Sequence, residues 1–308
     1  IQTLQLQKLW EQMSMAYDYG VDDIWILNVG DLKPMESAIS YFLDLAWDYE
    51  RWGSSNINST EQYIRQWLDE QFGKDTDEQG IQDLTTIFEE YLKLNTIRRP
   101  ENVTSSTYSL DNYNEAMNML SRVDKLINLA EEYKQKLPES LQAAYYQLIY
   151  YPAVAAANVN RIQIYSGLNQ AYAKQKLSSA NMYASMLEEA ISFDQELEQT
   201  YDKEMPGGVG NKWDGMMYQA KNAAHIGYPE WRPQGAYPTP KYVEIPEESR
   251  MFVRLEGDSK AYESGTVDLQ SFTNINNETY AVNIMNGGET SFEYKITTSA
   301  DWIRLTKN

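Results

Sequence analysis

Cysteine is absent from all 308 residues, which removes disulfides, thiolate zinc sites and thiol nucleophiles together. Histidine is nearly absent. With His225 as the single imidazole, neither a histidine-rich metal site nor a Ser-His-Asp triad is the expected chemistry. Positive charge is scarce, with 26 Lys and Arg against 45 Asp and Glu and a net charge of −19. A chain this acidic lacks the footprint for neutralising phosphates, so nucleic acid is not an expected partner. No stretch approaches the ~18 consecutive apolar residues of a transmembrane helix, and a membrane partner is not expected. What is abundant is tyrosine, 24 residues, with 8 Trp in a chain that is 42% hydrophobic. That composition supports a packed core rather than disorder. The chain opens on Ile1 without a signal-peptide pattern, so Ile1 reads as a processing or cloning boundary within something larger.

Residues 1–19 carry Leu6, Leu9, Met13, Ala16 and Tyr17 at helical spacing, and Gly20 follows as a C-cap. Ile24 to Val29 is a short apolar run of the kind found in a strand buried on both faces. A turn through Gly30, Asp31, Lys33 and Pro34 leads to a helix from Met35 to about Trp47. Helix, strand, turn and helix make one repeat of an α/β architecture. One strand cannot satisfy its own backbone groups, so it needs neighbours.

From residue 59 the pattern becomes helical. Ser59 to Gln62 reads as a capping box, and a further helix spans Asp83 to Asn95. The longest stripe runs through Leu110, Tyr113, Met117, Leu120, Val123, Ile127, Ala130 and Tyr133. Pro138 starts another helix, Pro152 kinks or divides it before Val154 to Gln175, and Ala180 to Lys203 forms the last. Long amphipathic helices with short connections predict an antiparallel bundle over 59–205. Residues 206–248 are rich in proline, glycine and aromatics and read as an irregular crossing segment whose Trp213 and Trp231 pack inward. Alternation over 251–255, 280–284 and 292–296, with a last strand near 302–305, predicts part of a β-sandwich over 249–308. The expected fold class is therefore mainly α: a bundle preceded by a helix–strand–helix unit and followed by a partial sandwich.

The turn after the strand is the best local candidate for chemistry. Asn28, Asp31 and Lys33 offer an amide, a carboxylate and an ammonium, a set suited to sugar hydroxyls or a uronate. The plainer alternative has Asp31 capping the next helix and Asn28 tying the turn. Glu36 and Asp44 are too far apart along one helix to be an obvious acid–base pair, and His225 reads as a hydrogen-bonded structural residue. No cofactor and no metal is called for.

Two stretches carry a resemblance. The first runs through Trp10-Glu11-Gln12-Met13, Ala16-Tyr17-Asp18-Tyr19-Gly20 and Ile24-Trp25-Ile26-Leu27-Asn28-Val29-Gly30-Asp31-Leu32-Lys33-Pro34-Met35-Glu36 to Phe42-Leu43-Asp44-Leu45-Ala46-Trp47-Asp48. The second is Lys212-Trp213-Asp214-Gly215-Met216-Met217 with His225-Ile226-Gly227-Tyr228 and Trp231-Arg232-Pro233. In order and spacing the chain resembles glycoside hydrolase family 115, the xylan α-1,2-glucuronidases. The resemblance implies a secreted or periplasmic inverting hydrolase. Such an enzyme releases glucuronic acid, often 4-O-methylated, from glucuronoxylan. It also implies that residues 1–48 are the end of a (β/α)8 barrel, that Asn28 contacts the uronic acid, and that Asp31 and Lys33 belong to the same loop. The family's general acid falls on a barrel strand upstream of Ile1, so the catalytic residues of this chain stay unassigned and the chain alone is expected to be inactive. A non-catalytic carbohydrate-binding or interaction module is the competing expectation, and a homodimer is one assembly it allows.

Overall fold

The computed structural model describes residues 5–29, 32, 35–201, 237–275 and 278–306. Among these the chain is mainly helical with one small sheet. Helix α1 (Leu6–Asp18) ends as its sequence predicts. Gly20 adopts φ +90°, its N–H donates to Tyr17 O at 2.8 Å, and Val21 N–H donates to Ala16 O at 3.0 Å. That pair of bonds is a Schellman motif, which satisfies the last carbonyls of the helix and needs a residue without a Cβ penalty. Helix α2 (Glu36–Trp47) and the single turn α3 (Tyr49–Trp52) follow, the latter capped by Asp48 accepting from Arg51 N–H at 3.2 Å.

The helical body comprises α4 (Ser59–Phe72), α5 (Glu78–Ile97), α6 (Glu115–Lys136), α7 (Glu139–Tyr145), α8 (Tyr151–Lys174) and α9 (Ser179–Gln199). No strand interrupts them among the described residues. The expected capping box at Ser59 does not form. Ser59 is fully buried beside Tyr41, Asn58 occupies the cap position without a side-chain bond, and Gln62 Oε1 accepts from Asn56 Nδ2 at 3.0 Å. Burial has taken into the core the hydroxyl that local chemistry assigned to the cap. The α6 stripe is buried from Leu120 to Tyr133 as its spacing requires. Leu110 and Tyr113 precede the helix instead, and Tyr113 is exposed at φ +57°.

Pro152 divides its helix in a specific way. Between α7 and α8 the backbone widens into a π-helical stretch, Tyr146–Tyr150, and Pro152 takes the second position of α8. A proline has no N–H for the preceding turn and crowds its carbonyl, and a local widening accommodates both defects. Helix α8 then runs through the centre of the body, packed by α5, α6 and α9, and is buried almost all round. Two of its buried amides reach across the body: Asn158 Nδ2 donates to Ala190 O at 2.8 Å, and Asn160 Oδ1 accepts from Tyr108 Oη at 2.8 Å.

The expected sandwich is a smaller object. Strands β1 (Met251–Leu255), β2 (Ala261–Tyr262) and β3 (Val282–Asn286) form one antiparallel sheet in the order β2-β1-β3, with Val253 opposite Ile284 and Tyr262. Residues 292–296 carry no regular structure and Trp302 lies in a turn, so the strands expected there do not form among the described residues. Gly287 and Gly288, a tight-turn signal between the expected strands at 280–284 and 292–296, start no hairpin among the described residues. The chain instead continues along the β1 entrance, with Gly287 N–H donating to Arg250 O and Glu289 N–H to Pro246 O. A Cβ on Gly288 would sit on the Glu248 carbonyl, so only glycine permits this approach.

The sheet docks on the corner between α8 and α9. Gln175 Oε1 accepts from Ala261 N–H at 2.7 Å, and Ser178 donates from both N–H and Oγ to Asn286 O. Arg254 is the central anchor. It is 5% exposed, donates Nε to Asp258 O at 2.8 Å, pairs with Asp111, and lies over the ring of Tyr172.

Residues 237–245 cross the same helix pair as an extended strap. Two asparagines hold it. Asn169 accepts from Lys241 N–H at 2.9 Å and donates to Lys241 O at 2.8 Å, while Asn181 does the same for Val243 at 2.9 and 3.0 Å. Each side chain thus imitates the exchange of two bonds between paired strands. Tyr237 Oη adds a 2.5 Å bond to Asp194 Oδ2. Residues 237–243 are thus fastened to α8 and α9. Trp213, His225 and Trp231 lie outside the described residues.

Candidate functional site

The candidate loop begins where the Schellman turn releases the chain into residues 21–29. This segment is extended, and among the described residues it has no strand partner. Its side chains alternate. Trp25 and Leu27 turn towards the core, while Ile24 is 75% and Ile26 88% exposed. The strand expected here, buried on both faces, does not form among the described residues, and the segment is covered on one face only. An apolar run announces that both faces will be covered, and here the helices cover one.

The covered face is built on aromatics. The Trp25 ring meets Phe42 at 5.9 Å and stands edge-on to Tyr17 and Tyr49, each at 6.3 Å, while Tyr17 and Tyr49 stack at 3.6 Å. Trp25 Nε1 donates to Val21 O at 2.6 Å, and the Tyr49 hydroxyl lies 3.2 Å from Asp18 Oδ1. These contacts set the register of the segment, because a slip by one residue would send Trp25 outward and Ile24 or Ile26 inward. The register places Asn28 on the outer face with Ile24 and Ile26, where it is exposed. Asp31 and Lys33, the other two residues of the sequence-derived set, lie outside the described residues.

Of the neighbouring carboxylates, Glu36 opens α2 and Asp44 accepts from Tyr63 Oη at 2.7 Å. Burial, and secondarily the bond to Asp44, pushes the Tyr63 phenol well above the usual tyrosine range, so it stays a neutral donor. Asp44 is thereby tied to the helical body and not to the loop. Among the described residues no cluster of three or more His, Asp or Glu side chains has the arrangement of a metal site.

A second apolar line accompanies the exposed strand face. On α2, Leu43 is exposed and Trp47 is 91% exposed, one turn apart on a helix whose other side is in the core. The sequence announced the apolar content of α2 but could not say that one stripe would be left uncovered. The asparagine pair that clamps the strap also escaped the sequence reading. Its only sequence signal is a polar residue, Asn169, set among buried positions of α8.

Residues 1–102 match the model of glycosyl hydrolase family 115. No curated protein matches the chain. Among solved structures it is similar to a novel family GH115 4-O-methyl-alpha-glucuronidase with specificity for decorated arabinogalactans, at 22% identity and a TM-score of 0.59. That likeness covers 82% of this chain and 33% of the other, so the chain spans about a third of the length of the structure it matches. An identity this low carries the fold and leaves substrate aside. The family match includes the whole first motif, Trp10 to Asp48, and the structural likeness extends over most of the helical body. The resemblance carried by the sequence is thus borne out, and the chain is similar to a C-terminal part of glycosyl hydrolase family 115.

Proposed function

We propose that the chain is part of an α-glucuronidase, to which it contributes the last strand–helix unit of a (β/α)8 barrel and the helical and sheet regions that follow. The observation that carries this reading is the split character of residues 21–29. In such a barrel one face of every strand meets the outer helices and the other meets the lumen, and ligands bind at the C-terminal strand ends. Trp25 and Leu27 meet α1 and α2, and Ile24, Ile26 and Asn28 face away from them. Asn28 is the last of the outward set, at the C-terminal end where a substrate would sit. The exposed Leu43 and Trp47 stripe on α2 is then the seat of the adjoining barrel helix. Helices α4 to α9 form the antiparallel bundle of the same reading.

The chemistry follows from the residue types. The Asn28 amide donates to the carboxylate or a ring hydroxyl of a glucuronic or 4-O-methylglucuronic acid unit. Lys33 supplies the opposite charge, and Asp31 accepts from hydroxyls. Hydrolysis with inversion also needs an acid at the leaving oxygen and a base on a water, with carboxyls ~6.5–9.5 Å apart. That pair belongs to other barrel strands, so this piece supplies binding and not proton transfer. Glucuronoxylan is the expected substrate of the complete enzyme, and a secreted or periplasmic location goes with a polymeric substrate.

Two assays test the reading. The 308-residue chain incubated with glucuronoxylan is expected to release no uronic acid, and release that Asn28→Ala abolishes would overturn the assignment. In the enzyme carrying a whole barrel, Asn28→Ala is expected to lower kcat/KM by about 10- to 100-fold, the value of one hydrogen bond to a charged group.

A further inference from the structure

The strap and α8 enclose an open groove of about 880 Å³, within the span of ordinary ligand sites at roughly 300–1,000 Å³. Its lining is unusual for so acidic a chain. Lys174 comes from α8 and Lys241 from the strap, and no Asp or Glu belongs to the lining. Neither lysine has an ion pair among the described residues. The nearest carboxylate named by a contact is Glu188, which accepts from the Tyr242 hydroxyl at 2.8 Å. That bond holds the Tyr242 ring in place while the residue stays more than half exposed. Gln170 adds an amide to the same groove, and Pro240 an apolar edge.

The walls are fixed before any ligand arrives. Asn169 is fully buried and grips both backbone groups of Lys241, so the residue carrying one ammonium is pinned to the helix carrying the other. Asn181 pins Val243 in the same manner. A site whose walls are already ordered loses less freedom on binding.

We infer that this groove is a secondary binding site for a carboxylate-bearing oligosaccharide, separate from the Asn28 loop. The two ammonium groups take the carboxylate in charge-assisted hydrogen bonds. The amide of Gln170 takes hydroxyls, and the exposed ring of Tyr242 offers an apolar face to a pyranose. The preference for an anion rests on the groove alone. The choice of a sugar anion rests on the proposed function, for which a second grip on an acidic polysaccharide keeps the substrate near the barrel.

Isothermal titration of the 308-residue chain with a uronic-acid-substituted xylo-oligosaccharide tests this. Binding is expected, with neutral xylobiose at least ~10-fold weaker, and the Lys174→Gln, Lys241→Gln double variant is expected to lose about 10-fold or more. Thermal unfolding of that variant checks that the fold is intact. Absence of binding, binding that survives the double variant, or inorganic phosphate binding as tightly as the sugar would each overturn the groove assignment. The same titration on Asn28→Ala separates the two claims. Affinity lost in the lysine variant supports the groove, whether or not Asn28→Ala also weakens binding. Affinity lost in Asn28→Ala and kept in the lysine variant overturns it and leaves the barrel reading standing.

Discussion

Two extended regions of this chain are held in opposite ways. Residues 251–255 lie between 261–262 and 282–286 and exchange ladder bonds with both, and polar anchors from the α8–α9 corner fasten the sheet. Residues 21–29 have no ladder partner among the described residues and are fastened by aromatic packing on one face. Among the described residues the more polar strands are thus paired, while the more apolar segment is not. Apolar content alone would have ranked the two regions the other way.

The strongest way to break the contrast is to unfasten the sheet. Arg254→Ala removes a buried guanidinium that joins β1 to Asp111 and Tyr172. Burial already pushes that guanidinium below its ordinary value, so its partners are what keep it there. We expect a loss of about 3–5 kcal/mol in urea unfolding, the usual cost of leaving one member of a buried pair alone. Arg254→Lys is expected to recover little, because it cannot donate along the same fork.

The next test addresses the two faces of residues 21–29. Trp25→Ala is expected to cost roughly 2 kcal/mol, somewhat below the full-burial range because Trp25 is half-buried. Ile26→Ser is expected to stay within about 0.5 kcal/mol in this chain. Equal effects in a thermal denaturation series would contradict the alternation. In the enzyme with a whole barrel, Ile26→Ser should become the costly one.

Alkaline unfolding sharpens the contrast between the helical body and the loop. Burial raises Tyr41 from 10.0 to about 12, with a small opposing effect from Ser59, and raises Tyr172 likewise to about 12. These phenols bind their protons more tightly when folded, so the stability they confer is complete below pH 10 and is lost as pH rises towards 12. The expected slope is a fall of about 1.4 kcal/mol per pH unit for each such group in urea midpoints taken between pH 10 and 12. A flat profile would show that these hydroxyls reach water. The smallest effect is at the Schellman turn, where Gly20→Ala should cost about 1 kcal/mol through its positive φ alone, read as a shift in melting temperature.

Much of the fold was legible beforehand, for reasons visible at single residues. The α6 stripe predicted its own buried face from Leu120 to Tyr133, since a 3.6-residue period leaves little choice of side. Gly20 announced its cap because few residues tolerate that backbone. The Trp10 to Asp48 motif carried the family resemblance. Illegible were Ser59, which is buried in the core instead of capping its helix, and the strands expected at 292–296 and 302–305. Alternation shows that a segment suits a pleated surface and cannot say whether a neighbour will arrive to pair with it. The candidate site was legible only as residue types. Asn28 could be named from its place after an apolar run, but its face depended on where Trp25 found its ring partners.

The division between the two sources of information is physical. Sequence by itself determined the helices, their buried stripes, the Schellman turn, the absence of thiol chemistry and the acidic character, all of which depend on near neighbours or on composition. Only the tertiary structure decided that Arg254 would be buried against Asp111, that Asn169 and Asn181 would grip a strap more than sixty residues away, and that Ile24, Ile26 and Asn28 would face outward together. Those outcomes join residues distant along the chain, and which distant groups meet depends on how whole helices pack.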